Sequence, residues 1–89
     1  MTSVKVLLFG PARDAADGAD SVLVSTPELP LSLSVLRGRV HDQCKDLRFV
    51  LMNSVFAVDN ALIPKSREDV MMIQTTDSEI VLIPPVSGG

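Results

Sequence analysis

The sequence is poor in cysteine and in aromatic residues, and it has no excess of positive charge. Its 89 residues include one cysteine, Cys44, and three Phe, with no Tyr or Trp. A single cysteine excludes an internal disulfide and fits a reducing compartment. The formal net charge of −3 provides no basic footprint for nucleic acid, and so few rings provide no stacking platform for single strands. We therefore expect no nucleic-acid partner, and the overall charge favours a basic partner surface.

Long apolar segments are missing as well. The longest hydrophobic runs fall far short of the ~20 residues that a membrane-spanning helix needs. The N-terminus has no basic stretch followed by an apolar one, as a secretory signal would. Hydrophobic residues nevertheless make up 46% of the chain and charged residues 21%, which is enough for one globular core. The sequence predicts a single cytosolic domain without membrane contact.

Apolar periodicity predicts one main helix flanked by strands on both sides. Ser32 is a suitable N-cap, and Leu33, Leu36, Val40 and Cys44 then follow at helical spacing. Residues 11–18, with Pro first and Gly last, predict a short helical turn. Asp-Asn at positions 59 and 60 predicts a tight turn. Short apolar runs predict strands at residues 4–9, 21–25, 54–58, 61–63, 70–73 and 79–83.

This order of elements favours an α+β fold, because strands and helices do not alternate along the chain. We predict a mixed sheet of about five strands wrapped on the helix, the β-grasp layout of ubiquitin-like proteins. Residues 1–83 would form this domain, and residues 84–89 an extended C-terminal tail.

The tail is the most informative segment of the sequence. It reads Pro-Pro-Val-Ser-Gly-Gly and ends in the carboxylate of Gly89. Two prolines cannot continue a sheet ladder and favour an extended backbone, and glycines pass where bulkier residues clash. At about 3.3 Å per residue, six extended residues reach roughly 20 Å. The segment is therefore predicted to carry its carboxylate into the active site of another protein. The plain alternative is a frayed chain end.

Three stretches resemble the small, sulfur-carrying subunit of molybdopterin synthase. They are residues 4–9 with Arg-Asp-Ala-Ala at 13–16, Ala-Val-Asp-Asn at 57–60, and above all residues 77–89 with their Pro-Pro-Val-Ser-Gly-Gly ending. The similarity in length and element order covers the whole chain. Two departures stand out: the turn before Glu79 lacks the family's glycine, and residues 65–68 lengthen the preceding loop.

The resemblance implies a mechanism centred on Gly89. An activating enzyme would consume ATP to adenylate this glycine, and sulfur would then replace the adenylate to give a thiocarboxylate. Pro84, Pro85, Val86, Ser87 and Gly88 would insert into the large synthase subunit, with Gly88 giving clearance. That subunit would supply the active site in which sulfur passes to cyclic pyranopterin monophosphate during molybdenum cofactor biosynthesis. A 2+2 heterotetramer and no stably bound cofactor are further implications.

A partner surface is predicted beside the tail. Phe9, Ile83 and Val86 lie at or near strand ends there, where exposed apolar groups would serve docking. On structural grounds alone, Phe9 is instead expected in the core, and Ile83 could lie on either side. Cys44 is predicted to be a buried thiol and His41 a solvated side chain, with no metal site.

Other functions remain open. The chain could be a thiocarboxylate carrier for thiazole synthesis or tRNA thiolation, or a ubiquitin-like modifier of lysines. It could also be an interaction domain with an inert tail, in which case a residue added after Gly89 would leave function intact.

Overall fold

The computed structural model describes residues 2–84, which form strands and short helices in an α+β arrangement. Two 3-10 turns lie at Lys45–Leu47 and Lys65–Arg67. In chain order the elements are β1 (Thr2–Leu8), α1 (Gly10–Ala15), β2 (Ser21–Thr26), β3 (Leu31–Ser32), α2 (Leu33–Gln43), α3 (Arg48–Leu51), β4 (Val55–Val58), β5 (Ala61–Ile63), β6 (Met72–Ile73) and β7 (Ile80–Ile83).

Within residues 2–84, the main sheet has five strands in the order β2-β1-β7-β4-β5. Strand β7 is its central strand, parallel to β1 and antiparallel to β4, so the sheet is mixed. Strands β3 and β6 form a separate two-stranded pair. The prediction of an α+β, β-grasp fold with a five-stranded mixed sheet and one main helix is confirmed.

The core lies between one face of the sheet and helix α2. Alternate residues of β1, namely Val4, Val6 and Leu8, point into it, as expected for a strand with one covered face. Each fully buried aliphatic side chain contributes about 1.5–3 kcal/mol relative to exposure. The other large side chains that are fully buried are Val24, Leu33, Leu36, Val40, Leu47, Phe56, Ile73, Ile80 and Leu82.

Helix α2 forms where the sequence predicts it. The Ser32 Oγ accepts a hydrogen bond from the Val35 backbone N–H at 3.2 Å, which satisfies one donor of the first turn. Leu33, Leu36 and Val40 are fully buried, as their spacing predicts. Cys44, the C-cap residue, is only partly buried and packs against the edge of the core.

The turn between β4 and β5 also matches its prediction. Asp59 and Asn60 adopt φ angles of 50° and 71°, a left-handed conformation that these two residue types tolerate. Asp59 also anchors the start of β7: its backbone N–H donates to the Glu79 carbonyl, and its Oδ1 accepts from the Glu79 N–H, both at 2.9 Å. The turn therefore fixes the beginning of the central strand.

The structure differs from the sequence prediction in one strand and contains one helical turn that was not predicted. Of residues 70–73, only Met72–Ile73 form a strand, which pairs with Leu31–Ser32 outside the main sheet, and Val70 is exposed. The helical turn α3 was not predicted. Of the two placements open for Phe9, the structure has the exposed one: the ring is 56% exposed, because β1 ends at Leu8 and Gly10, with φ +53°, turns the chain into α1.

The open edge of β2 is covered by a side chain from α2. The Gln43 Oε1 accepts from the Ser25 N–H, and its Nε2 donates to the Ser25 carbonyl, both at 2.8 Å. These two bonds reproduce the pairing that a neighbouring strand would make at that residue. In the part of the chain that is described, no helix has the length and apolarity needed to cross a membrane.

Candidate functional site

Strand β7, which leads to the tail, is paired with a neighbouring strand on each side. Leu82 of β7 lies opposite Leu8 of β1 and Phe56 of β4, and Ile83 lies opposite Val55. Pro84 follows, with no N–H to extend the ladder. The position of Pro84 is therefore fixed by a central strand that is paired on both sides.

An apolar surface adjoins this point on the face of the sheet turned away from α2. Because β1 and β7 are parallel, their carboxyl ends lie at the same edge, and Phe9 comes close to Ile83. Phe9 and Leu62 are 56% and 65% exposed, so the surface presents large apolar groups to solvent. We call this surface, a shallow depression of about 530 Å³, the outer-face patch; its apolar members are Leu7, Phe9, Ala57, Leu62, Val81 and Ile83.

The outer-face patch brings together two of the three residues predicted for a partner interface, Phe9 and Ile83. Four of its members lie side by side across four strands, because each is paired with the next: Leu7, Val81, Ala57 and Leu62. Sequence reasoning missed these members, because strand order is needed to place them side by side. An interface role for the patch stays a prediction.

Pro84 lies on a different side, against helix α1 and helix α3. It lines a small cleft of about 160 Å³ together with Pro11, Phe49, Val50 and Asn53. Phe49 is 83% exposed there. The apolar run at residues 49–52 was the available signal for this surface. The remaining predicted site residues, Pro85, Val86, Ser87, Gly88 and Gly89, lie outside the described residues, and their roles stay predictions.

A buried ion pair holds the loops on the α2 side. The Arg37 guanidinium donates to both carboxylate oxygens of Glu68, at 2.9 and 2.7 Å. It also donates to the carbonyl oxygens of Leu51 at 2.6 Å and Ser54 at 2.9 Å, and its Cζ lies 5.0 Å from the centre of the Phe56 ring. The pair thus ties α2 to the end of α3 and to the loop before β6. Arg37 lies outside the apolar stripe of α2, and Glu68 belongs to the loop that residues 65–68 lengthen, so neither was singled out from the sequence.

Cys44 and His41 show no arrangement for catalysis. Partial burial raises the pKa of the Cys44 thiol, which lowers its thiolate fraction at neutral pH. His41 is exposed, as predicted, and its Nδ1 lies 3.3 Å from the Asp42 carboxylate. Among residues 2–84, no three His, Cys, Asp or Glu side chains are grouped so that they could hold a metal ion.

The mixed five-stranded sheet with β7 at its centre, packed on one main helix, defines a β-grasp fold. Among solved structures, the chain is similar to one described as a protein–protein complex of subunits 1 and 2 of the molybdopterin-converting factor from Helicobacter pylori 26695. The TM-score is 0.67 at 23% sequence identity, over 99% of this chain and 100% of that chain. The likeness shows a shared fold over the full described domain. No protein-family model matches the sequence, and neither does any curated protein.

Proposed function

We propose that this chain is a sulfur carrier of the molybdopterin synthase type, with Gly89 as the residue that carries sulfur. The observation that supports this most directly is that the Pro-Pro-Val-Ser-Gly-Gly ending follows immediately from β7, the central strand of a β-grasp sheet. The similarity in fold to a structure of the molybdopterin-converting factor agrees with the resemblance of the ending.

The chemistry of the proposal follows from the carboxylate. A carboxylate is a poor electrophile, because it is anionic and its leaving group would be an oxide. Attack of a Gly89 carboxylate oxygen on the α-phosphorus of ATP releases pyrophosphate and leaves an acyl-adenylate. A sulfide then attacks the acyl carbon and expels AMP, which leaves a thiocarboxylate. The activating enzyme catalyses both steps, and this chain supplies the reacting group.

The outer-face patch is proposed as the surface that docks the large subunit. It combines exposed large apolar groups with direct continuity to the strand from which the tail departs. Docking there would hold Pro84, where the tail begins, at a fixed distance from the partner's active site. The partner's cationic groups would then hold the developing charge during sulfur transfer to cyclic pyranopterin monophosphate. The two-subunit description of the similar structure supports a large-subunit partner, and we propose a 2+2 assembly.

Intact-mass measurement tests the proposal. The purified chain is incubated with ATP, an activating enzyme of a molybdopterin pathway and a sulfide source. The expected product differs from the starting chain by replacement of one oxygen with sulfur, located at Gly89 by fragmentation. An unchanged mass under conditions that load an authentic carrier would overturn the proposal.

Partner capture distinguishes the alternative carriers. The thiocarboxylate form is offered separately to a molybdopterin synthase large subunit, a thiazole synthase and a tRNA-thiolating enzyme. We expect saturable binding and sulfur transfer with the first alone. Transfer to either of the others would assign a different pathway, and attachment to lysines would assign a protein modifier.

A further inference from the structure

A second cleft lies between α2 and α3, on the opposite side of the sheet from the outer-face patch. Its volume is about 380 Å³, and Gly38, Leu51 and Met52 form much of its wall. Met52 is 68% exposed at its rim. The polar members that line the cleft are Ser34, Arg37, His41, Arg48 and Lys65.

The charge of this cleft is opposite to that of the chain. The chain has a formal charge of −3, yet none of the cleft-lining side chains from the described residues is acidic. Arg37 is neutralised by Glu68, which packs behind it. Within residues 2–84, Arg48 and Lys65 have no carboxylate at ion-pair distance, so both leave their charge available.

Two main-chain carbonyls hold these cations in place. The Arg48 Nε donates to the His41 carbonyl at 2.7 Å, at the end of α2. The Lys65 Nζ donates to the carbonyl of Met52. A carbonyl orients a cation without cancelling its charge. Both groups therefore keep further N–H donors for an incoming anion.

We propose that this cleft docks an acidic segment of a partner protein, with carboxylates on Arg48 and Lys65 and one large apolar side chain against Leu51 and Met52. Apolar walls beside uncancelled cations match a peptide that carries both kinds of group, whereas a bare inorganic anion would leave the walls uncovered. Because the cleft and the outer-face patch lie on opposite sides of the sheet, such a segment can bind while the patch is covered. The proposal does not depend on the chemistry of Gly89.

A titration followed by NMR tests the proposal. The 15N-labelled chain is titrated with the acetylated and amidated peptide Asp-Glu-Leu-Phe-Glu-Asp, with its Asn/Gln counterpart, and with inorganic phosphate. We expect saturable shifts at residues 34–41, 48–52 and 65 with the acidic peptide alone, and weaker binding as salt is raised. The double variant R48Q/K65Q should raise the dissociation constant about ten-fold, since two exposed ion pairs are removed.

Matched variants and alternative outcomes keep the test decisive. K5Q removes one charge from the outer face of β1 and should bind the peptide like the parent chain. M52D, at an exposed position, should abolish binding while the rest of the spectrum stays unchanged. Four outcomes would each overturn the proposal. The parent and R48Q/K65Q could bind the acidic peptide equally well, or the peptide could shift residues of the outer-face patch instead. The Asn/Gln peptide could bind as well as the acidic one, or phosphate could bind more tightly than the peptide.

Discussion

Removing Arg37 should be among the most destabilising single changes in this domain. In R37A the Glu68 carboxylate, whose side chain is only 4% exposed, loses its charge partner. Breaking a buried pair in this way costs about 3–5 kcal/mol, because it leaves an uncompensated charge in a poorly solvated place. The carbonyl groups of Leu51 and Ser54 lose their donor as well. We therefore expect a loss of about 4 kcal/mol, a large part of the 5–15 kcal/mol typical of a domain.

A double-mutant cycle measures this coupling. The free energies of unfolding of the parent chain, R37A, E68A and R37A/E68A are obtained from urea denaturation followed by circular dichroism. The double variant has no unpaired buried charge. Its decrease in unfolding free energy should therefore be at least about 2 kcal/mol smaller than the sum of the decreases in R37A and E68A. E68Q should fall between the parent and E68A, since the amide oxygen still accepts one bond from Arg37.

An exposed ion pair provides the matched control. Arg13 and Asp20 lie 3.0 Å apart, but their side chains are 53% and 79% exposed. R13A should therefore change the unfolding free energy by less than about 1 kcal/mol. If R37A cost no more than R13A, or if the losses in the R37A and E68A cycle were simply additive, the structural role assigned to the buried pair would be refuted.

The tail, the outer-face patch, the β4–β5 turn and the cysteine should respond as follows. One alanine added after Gly89 should abolish sulfur loading by intact mass without changing the melting temperature, because the reacting carboxylate is displaced. L62D should weaken large-subunit binding at least about ten-fold by calorimetry, yet shift the unfolding free energy by only about 0.5 kcal/mol. N60V should cost about 1–2 kcal/mol in urea denaturation, since a β-branched residue resists φ 71°. Because burial raises the pKa of the Cys44 thiol, iodoacetamide should alkylate it more slowly in the folded than in the unfolded chain near pH 8. Because the pKa is higher in the folded than in the unfolded state, the thiol contributes stability at neutral pH. This contribution is lost as the pH rises through the pKa of the folded state.

Two of these predictions, L62D and N60V, have matched control variants. L23D changes an equally exposed leucine on β2, which is 67% exposed and outside the outer-face patch, and should bind the large subunit normally. N60G should keep or raise stability, because glycine adopts positive φ freely. The argument for each prediction would be contradicted by one result. These results are normal sulfur loading of the extended chain, equal effects of L23D and L62D on large-subunit binding, an unchanged unfolding free energy in N60V, and faster alkylation of Cys44 in the folded chain.

Features determined by neighbouring residues were predictable from the sequence. Helix α2 has its cap and its buried positions within one stretch, and the Asp59-Asn60 turn depends on two adjacent residues that tolerate positive φ. The C-terminal end of β1 was less predictable. The sequence allowed Phe9 either in the core or exposed beside the tail, and only the backbone turn at Gly10 decides that the ring is exposed.

Features that join distant residues were not predictable in this way. Strands β3 and β6 have two residues each, too few for a periodic signal, and only their mutual pairing defines them. Arg37 and Glu68 are 31 residues apart, and both look like surface charges until the fold brings them together. The outer-face patch likewise requires the order of four strands. Residues 85–89 of the tail lie outside the described residues, and their proposed role rests on the sequence.

The Gln43 amide has a consequence for how the domain behaves at high concentration. An uncovered flank of a sheet invites a second copy to add its own strand, which is a common start of aggregation. A second chain that pairs with β2 would first have to displace the Gln43 amide, which already bonds to the backbone N–H and carbonyl of Ser25. One glutamine at the end of a helix thereby discourages self-association along that flank.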